Sequence, residues 1–109
     1  MKNCLTIAGS DCSGGAGIQA DLKTFSALGC YGMSAISAVV AENTERVIST
    51  MPVTPSVIYD QLEAVFTDIR VDAVKIGMLP DSGSMHAVAA ALMKFDPEIV
   101  CLLYTSPSP

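Results

Sequence analysis

Apolar positions along this chain follow two alternating rhythms. "CLTIAG" is a short, nearly unbroken apolar run, the pattern of a strand buried on both faces of a parallel sheet. In "GIQADLKTFSALG" the residues Ile18, Leu22, Phe25 and Gly29 follow helical spacing, and Gly29 supplies a C-terminal stop. "YGMSAISAVVAEN", rich in small and β-branched residues, predicts a second strand, and "RVISTMPV" predicts a short extra strand or an extended flap. Thr54-Pro55 has the form of an N-cap followed by proline at the first helical position. Behind it, Ile58, Leu62, Val65, Phe66 and Ile69 form a helical stripe. "DAVKIGM" predicts another short strand ending at a glycine. Asp81, Ser82 or Ser84 then caps a further helix with Met85, Val88, Leu92 and Phe95 on its inner face, so that residues 85–92 read as core. "EIVCLL" begins one more strand.

Strands alternating with helices predict an α/β sandwich with a mainly parallel sheet. Ligands of such sheets sit beyond the carboxyl ends of the strands. Three segments are expected there: residues 9–17, 40–44 and 77–80. They are far apart in sequence and are predicted to meet at one edge.

Composition narrows the function. With 109 residues, 50% of them hydrophobic, the chain suits one small domain or part of a larger one. The formal net charge is −5 and the six Lys and Arg residues are scattered, so nucleic acid is not an expected partner. Cys4, Cys12, Cys30 and Cys101 make no CxxC pair and His86 is the sole histidine, so metal-ligand spacing is absent. No basic leader with an apolar segment precedes the first strand, and runs such as "AVAAALM" are too short to span a bilayer. Reduced thiols in a cytoplasmic protein are the expectation. His86 reads as a surface residue. Cys12 has no basic neighbour in sequence to activate it as a nucleophile.

The loop "GSDCSGGAG" invites a phosphate-binding reading. A P-loop would need lysine and a hydroxyl after its second glycine, but Gly14 is followed by Gly15 and Ala16. The dinucleotide fingerprint fits only loosely, with Ala20 where its last glycine belongs. A tight strand-to-helix turn whose glycines relieve crowding accounts for the loop taken alone. Two acids add to it. Asp21 lies one turn into the helix at the border of its apolar stripe, and Glu42 ends a small, apolar strand. A carboxylate in such a place needs a partner. An ordinary salt-bridged helix acid and a loop acid after a strand remain the simpler alternatives.

"LTIAGSDCSGGAGIQADLKTFSALGCYGMSAISAVVAENT" resembles the opening of the bacterial hydroxymethylpyrimidine/phosphomethylpyrimidine kinases of thiamine synthesis, and "VKIGML" resembles a later signature of the same family. The resemblance runs from about Cys4 to about Leu102 and implies the ribokinase-like fold, a three-layer α/β/α sandwich, incomplete in this chain. It implies that Gly9 and Asp21 line the pocket near the hydroxymethyl arm of the substrate. Val40, through its backbone, and Glu42 would meet the aminopyrimidine edge, and Met78 would pack on the ring. An exocyclic N–H beside ring nitrogens suits a carbonyl and a carboxylate. ATP and Mg²⁺ are the implied cofactors, met mainly by a glycine-rich loop and helix N-terminus later in the family's chain, where its catalytic base also lies.

Residues 1–102 are thus expected to be the N-terminal, substrate-binding part of one kinase domain. Residues 103–109, "LYTSPSP", are expected to be foreign to the fold, disordered or artefactual, because two prolines in the last three residues cannot extend a central strand. The isolated chain is expected to be inactive and to fold poorly. A small-molecule acceptor is the expected partner, with a homodimer left open. Pyridoxine or pyridoxal kinase is the alternative within the superfamily, and a non-catalytic ligand-binding module the alternative outside it.

Overall fold

The computed structural model describes residues 1–102. The expectation for residues 103–109 lies outside the described residues. The chain runs β1 (Asn3–Asp11), α1 (Gly17–Ala27), β2 (Tyr31–Glu42), β3 (Val47–Pro52), α2 (Pro55–Phe66), β4 (Ala73–Ile76), α3 (Ser82–Phe95) and β5 (Ile99–Leu102). The five strands form one sheet in the order β3-β2-β1-β4-β5. β2, β1, β4 and β5 are parallel, and β3 is antiparallel to β2. The "RVISTMPV" segment is therefore an edge strand of the sheet.

Strand periodicity assigns the two faces. Leu5 and Ile7 of β1, Met33 and Ala35 of β2, and Val74 and Ile76 of β4 join Ile58 and Leu62 of α2 and Val88 and Ala91 of α3 in one apolar core. The alternate residues face α1. There a Cβ on Gly32 would lie 3.0 Å from Leu22 and 3.3 Å from Phe25, so a residue without a side chain lets the helix settle on β2. Helices on both faces make the three-layer α/β/α sandwich expected from the alternation.

The helix ends follow local chemistry. α1 stops at Gly29, whose φ is +75°. The N–H of Cys30 bonds the carbonyl of Phe25 at 2.9 Å and that of Gly29 bonds Ser26 at 3.0 Å, the paired closure that a left-handed glycine permits. Pro55 occupies the first turn of α2 as expected, but Thr54 makes no side-chain capping bond to the helix backbone. For α3 the cap is Asp81, which accepts from the Ser84 N–H at 2.8 Å while Ser84 reciprocates. That closure buries Ser84 and rotates the inner face to Ser84, Val88 and Ala91, with Leu92 and Phe95 packed against it. Met85 is consequently not inward as expected but 54% exposed.

Candidate functional site

A cavity of about 410 Å³ opens at the carboxyl ends of the parallel strands, and the three segments expected there meet around it. Its wall includes Gly9, Asp11 and Gly17 from the first, Val40 and Glu42 from the second, and Gly77 and Met78 from the third. β3 adds Val47 and Thr50, so the flap forms one side.

Close backbone approach shapes this corner. Gly17 has φ +58°, and a side chain there would collide with the carbonyl oxygen of Gly9, so glycine is required where α1 starts against β1. At Gly9 a Cβ would stand 2.9 Å from the Met78 Cε and 3.7 Å from Val40, so the absence of a side chain lets both lean over the strand end. A bulge helps. Ala8 pairs with Ile36 and Gly9 with Ala38, which leaves Ser37 as the extra residue of β2. The buried Ser37 hydroxyl donates to the Met78 carbonyl at 2.8 Å, and the Gly77 N–H donates to the Ile7 carbonyl at 2.7 Å. Met78 is thus anchored through its backbone while its side chain remains 46% exposed at the cavity.

Two carboxyl groups face each other on the β1–β2 side. Asp11 is 5% exposed, and its carboxylate accepts from the Ser13 N–H at 2.9 Å, the Ser13 hydroxyl at 2.7 Å and the Gly15 N–H at 3.1 Å. The Ser13 hydroxyl bond is the leading cause that holds its pKa below the usual aspartate range. Glu42 is pushed the other way, first by burial and then by the neighbouring Asp11 charge. The Cys12 thiol donates to the Glu42 carbonyl at 3.1 Å and lies 3.4 Å from the Glu42 N–H, which ties the loop to the end of β2.

On the β4 side the polar group is Lys75. Its neighbours Val74 and Ile76 point into the apolar core, so strand alternation sends Lys75 to the α1 face, in register with Thr6. Its ammonium lies 2.7 and 2.8 Å from the two oxygens of Asp21, and the Thr6 hydroxyl donates to Asp21 at 2.6 Å. Lys75 lines the cavity, whereas Asp21 does not. Among the five expected site residues, Gly9, Val40, Glu42 and Met78 come together on the wall, and Asp21 stands behind it as the partner of Lys75. Sequence reading missed Asp11, Lys75 and Thr50. A signal existed for Lys75, the one charge inside the apolar "AVKIG".

Among the described residues no cluster of three or more His, Cys, Asp or Glu side chains is arranged to hold a metal ion. The charged side chains on the cavity wall are Asp11, Glu42 and Lys75, and the rest of the wall is mostly small or apolar. All four cysteines are free thiols. No helix among the described residues is long and apolar enough to cross a membrane.

A parallel sheet between helical layers, with a small-molecule cavity at its carboxyl edge and an antiparallel flap beside it, defines the ribokinase-like class. The chain belongs to the phosphomethylpyrimidine kinase family, whose profile matches residues 11–102. It is 54% identical over 100 residues to the hydroxymethylpyrimidine/phosphomethylpyrimidine kinase of Escherichia coli (strain K12), covering 92% of this chain and 38% of that enzyme. The crystal structure of phosphomethylpyrimidine kinase from Clostridium difficile 630 matches with a TM-score of 0.91 and 49% identity, over 94% of this chain and 44% of that one. The ADP complex of Bacillus subtilis pyridoxal kinase matches with a TM-score of 0.87 and 40% identity, over 94% of this chain and 39% of that one. The chain thus spans about two fifths of the length of these relatives.

Proposed function

We propose that residues 1–102 form the acceptor-binding part of a hydroxymethylpyrimidine/phosphomethylpyrimidine kinase. The whole protein transfers the terminal phosphoryl group of ATP, with Mg²⁺, first to the hydroxymethyl alcohol and then to its monophosphate, as a cytoplasmic enzyme of thiamine synthesis. The observation that carries this reading is the convergence of Gly9, Val40, Glu42 and Met78 on one cavity of about 410 Å³. Such transfer depends on positioning and charge stabilisation. This segment contributes the positioning. Gly9 and Met78 shape a slot for a flat ring, while the Val40 backbone and Glu42 meet its amino edge. Nucleotide binding and the catalytic base belong to the rest of the protein. A second copy of the protein is the proposed macromolecular partner.

The structural likeness to pyridoxal kinase supports a second reading, phosphorylation of a pyridine alcohol. Glu42 separates the two, because a pyridine ring lacks the amino edge that this residue would recognise. The test is steady-state kinetics of the full-length protein with ATP and either hydroxymethylpyrimidine or pyridoxal. The first acceptor should be preferred, and Glu42→Gln should weaken its use by about tenfold or more, the size of a lost charge-assisted hydrogen bond. Preference for pyridoxal with no effect of the substitution would favour the second reading. Turnover of neither acceptor would favour a ligand-binding module.

A further inference from the structure

We propose that Lys75, held by Asp21, is the residue that contacts the oxygen-bearing arm of the acceptor and selects the phosphomonoester over the alcohol. This deepens the reading of the cavity as an acceptor site and rests on it. The geometry argues for the ammonium over the carboxylate. Both Asp21 oxygens are occupied, one by Lys75 and the other by Lys75 and Thr6, and Asp21 is absent from the cavity wall. Lys75 is on the wall, with side-chain exposure of 23%. An ammonium carries three donors, and all its bonds among the described residues go to one carboxylate. At least one N–H therefore remains for a ligand in the cavity. An oxygen with lone pairs is its complement, and a phosphate oxygen complements it far better than a neutral hydroxyl.

The cavity has two unlike ends. The acids Asp11 and Glu42 lie at the ends of β1 and β2, while the cation projects from β4, on the other side of β1. Two strand spacings separate β2 from β4, roughly 10 Å. That span suits a six-membered ring with a one-carbon arm and a phosphate. The amino edge then lies toward Glu42 and the arm toward Lys75. A reversed ligand would set its phosphate against two carboxyl groups and its amino group against an ammonium. Asp21 serves as the positioning residue: it fixes the lysine through two contacts and is itself fixed by Thr6.

The test uses the full-length protein with Lys75→Met, Lys75→Arg and the double variant Lys75→Met/Asp21→Asn, which leaves no unpaired charge should the single replacement disturb folding. Binding of hydroxymethylpyrimidine and of its monophosphate is measured by calorimetry without nucleotide, alongside KM and kcat for each acceptor. Loss of monophosphate affinity by about tenfold or more, with less than about threefold change for the alcohol and partial recovery in Lys75→Arg, is the expected result. Equal losses for both acceptors would assign Lys75 a purely structural role and overturn the proposal, as would unchanged affinities in the double variant. Wild-type protein that binds neither compound would instead overturn the acceptor-site reading, and this proposal with it.

Discussion

The two faces of the sheet are built on opposite principles. Under α2 and α3 the contact is mainly hydrocarbon, from Leu5 and Ile7 to Leu62 and Ala91, with Ser84 and Gln61 as its polar members. Under α1 the same three central strands present Gly32, Thr6 and Lys75, and the helix answers with Leu22, Phe25 and Asp21. The polar groups on the first face, Ser84 and Gln61, are hydrogen-bonded. The second carries an ion pair, Lys75 with Asp21, whose desolvation offsets most of its attraction. The apolar face sets the height of the strands, and the polar face uses that height to hold groups at the cavity.

The largest effect should come from breaking the apolar face. Leu62→Ala removes a fully buried side chain, and urea denaturation of the full-length protein should show a loss of about 2–5 kcal/mol. A smaller effect is expected across the sheet. Asp21→Asn or Lys75→Met leaves one charge without its partner and should cost about 1–3 kcal/mol, reduced from the fully buried case because water reaches both groups. The double replacement should cost less than the sum of the two, and additive losses in a double-mutant cycle would show that the pair is not coupled.

Acidity should separate the two sides further. The native pKa of Glu42 is raised, so the folded state binds the extra proton and stability declines as pH rises from 4.5 through the native pKa. Glu42→Gln should abolish that decline. The native pKa of Asp72 is lowered, chiefly by the Asn3 N–H at 2.7 Å, so its contribution is complete above 3.8 and disappears as pH falls through the native value. Melting temperature against pH for wild type, Glu42→Gln and Asp72→Asn would reveal slopes of opposite sign. The smallest effect belongs to Met85→Ala, within about 0.5 kcal/mol for an exposed side chain, whereas Val88→Ala one turn on should be clearly destabilising.

The layers were legible because period and punctuation agree. Apolar runs ending in glycine mark the strands, and Pro55 and Gly29 mark helix ends through fixed backbone requirements. The phase of α3 was not, because a stretch of alanines leaves the inner face undecided, and a reciprocal bond between Asp81 and Ser84 decides it. The segments that hold Gly9, Val40, Glu42 and Met78 could be grouped at one edge because each falls at or just beyond the carboxyl end of a strand, and the resemblance singled out the residues within them. The salt-bridged alternative for Asp21 could be named but its partner could not: Lys75 lies 54 positions away, and the parallel pairing of β1 with β4 helps to bring them together. Asp11 was overlooked because its significance depends on a bond cage that the loop forms only when folded.

The flap has a built-in stop. β3 pairs with β2 only from Ala38 to Glu42, and Val53 adds one bond to the Ser37 carbonyl. One residue earlier the edge passes to a side chain: Gln61 of α2 accepts from the Ile36 N–H at 2.8 Å and donates to the Ile36 carbonyl at 3.0 Å, imitating a neighbouring strand with a single amide. If β3 peels outward like a zip, the tear ends at Ser37. The same Ser37 that closes the β3 pairing through its carbonyl holds Met78 through its hydroxyl, so the edge of the sheet and the cavity wall share one residue.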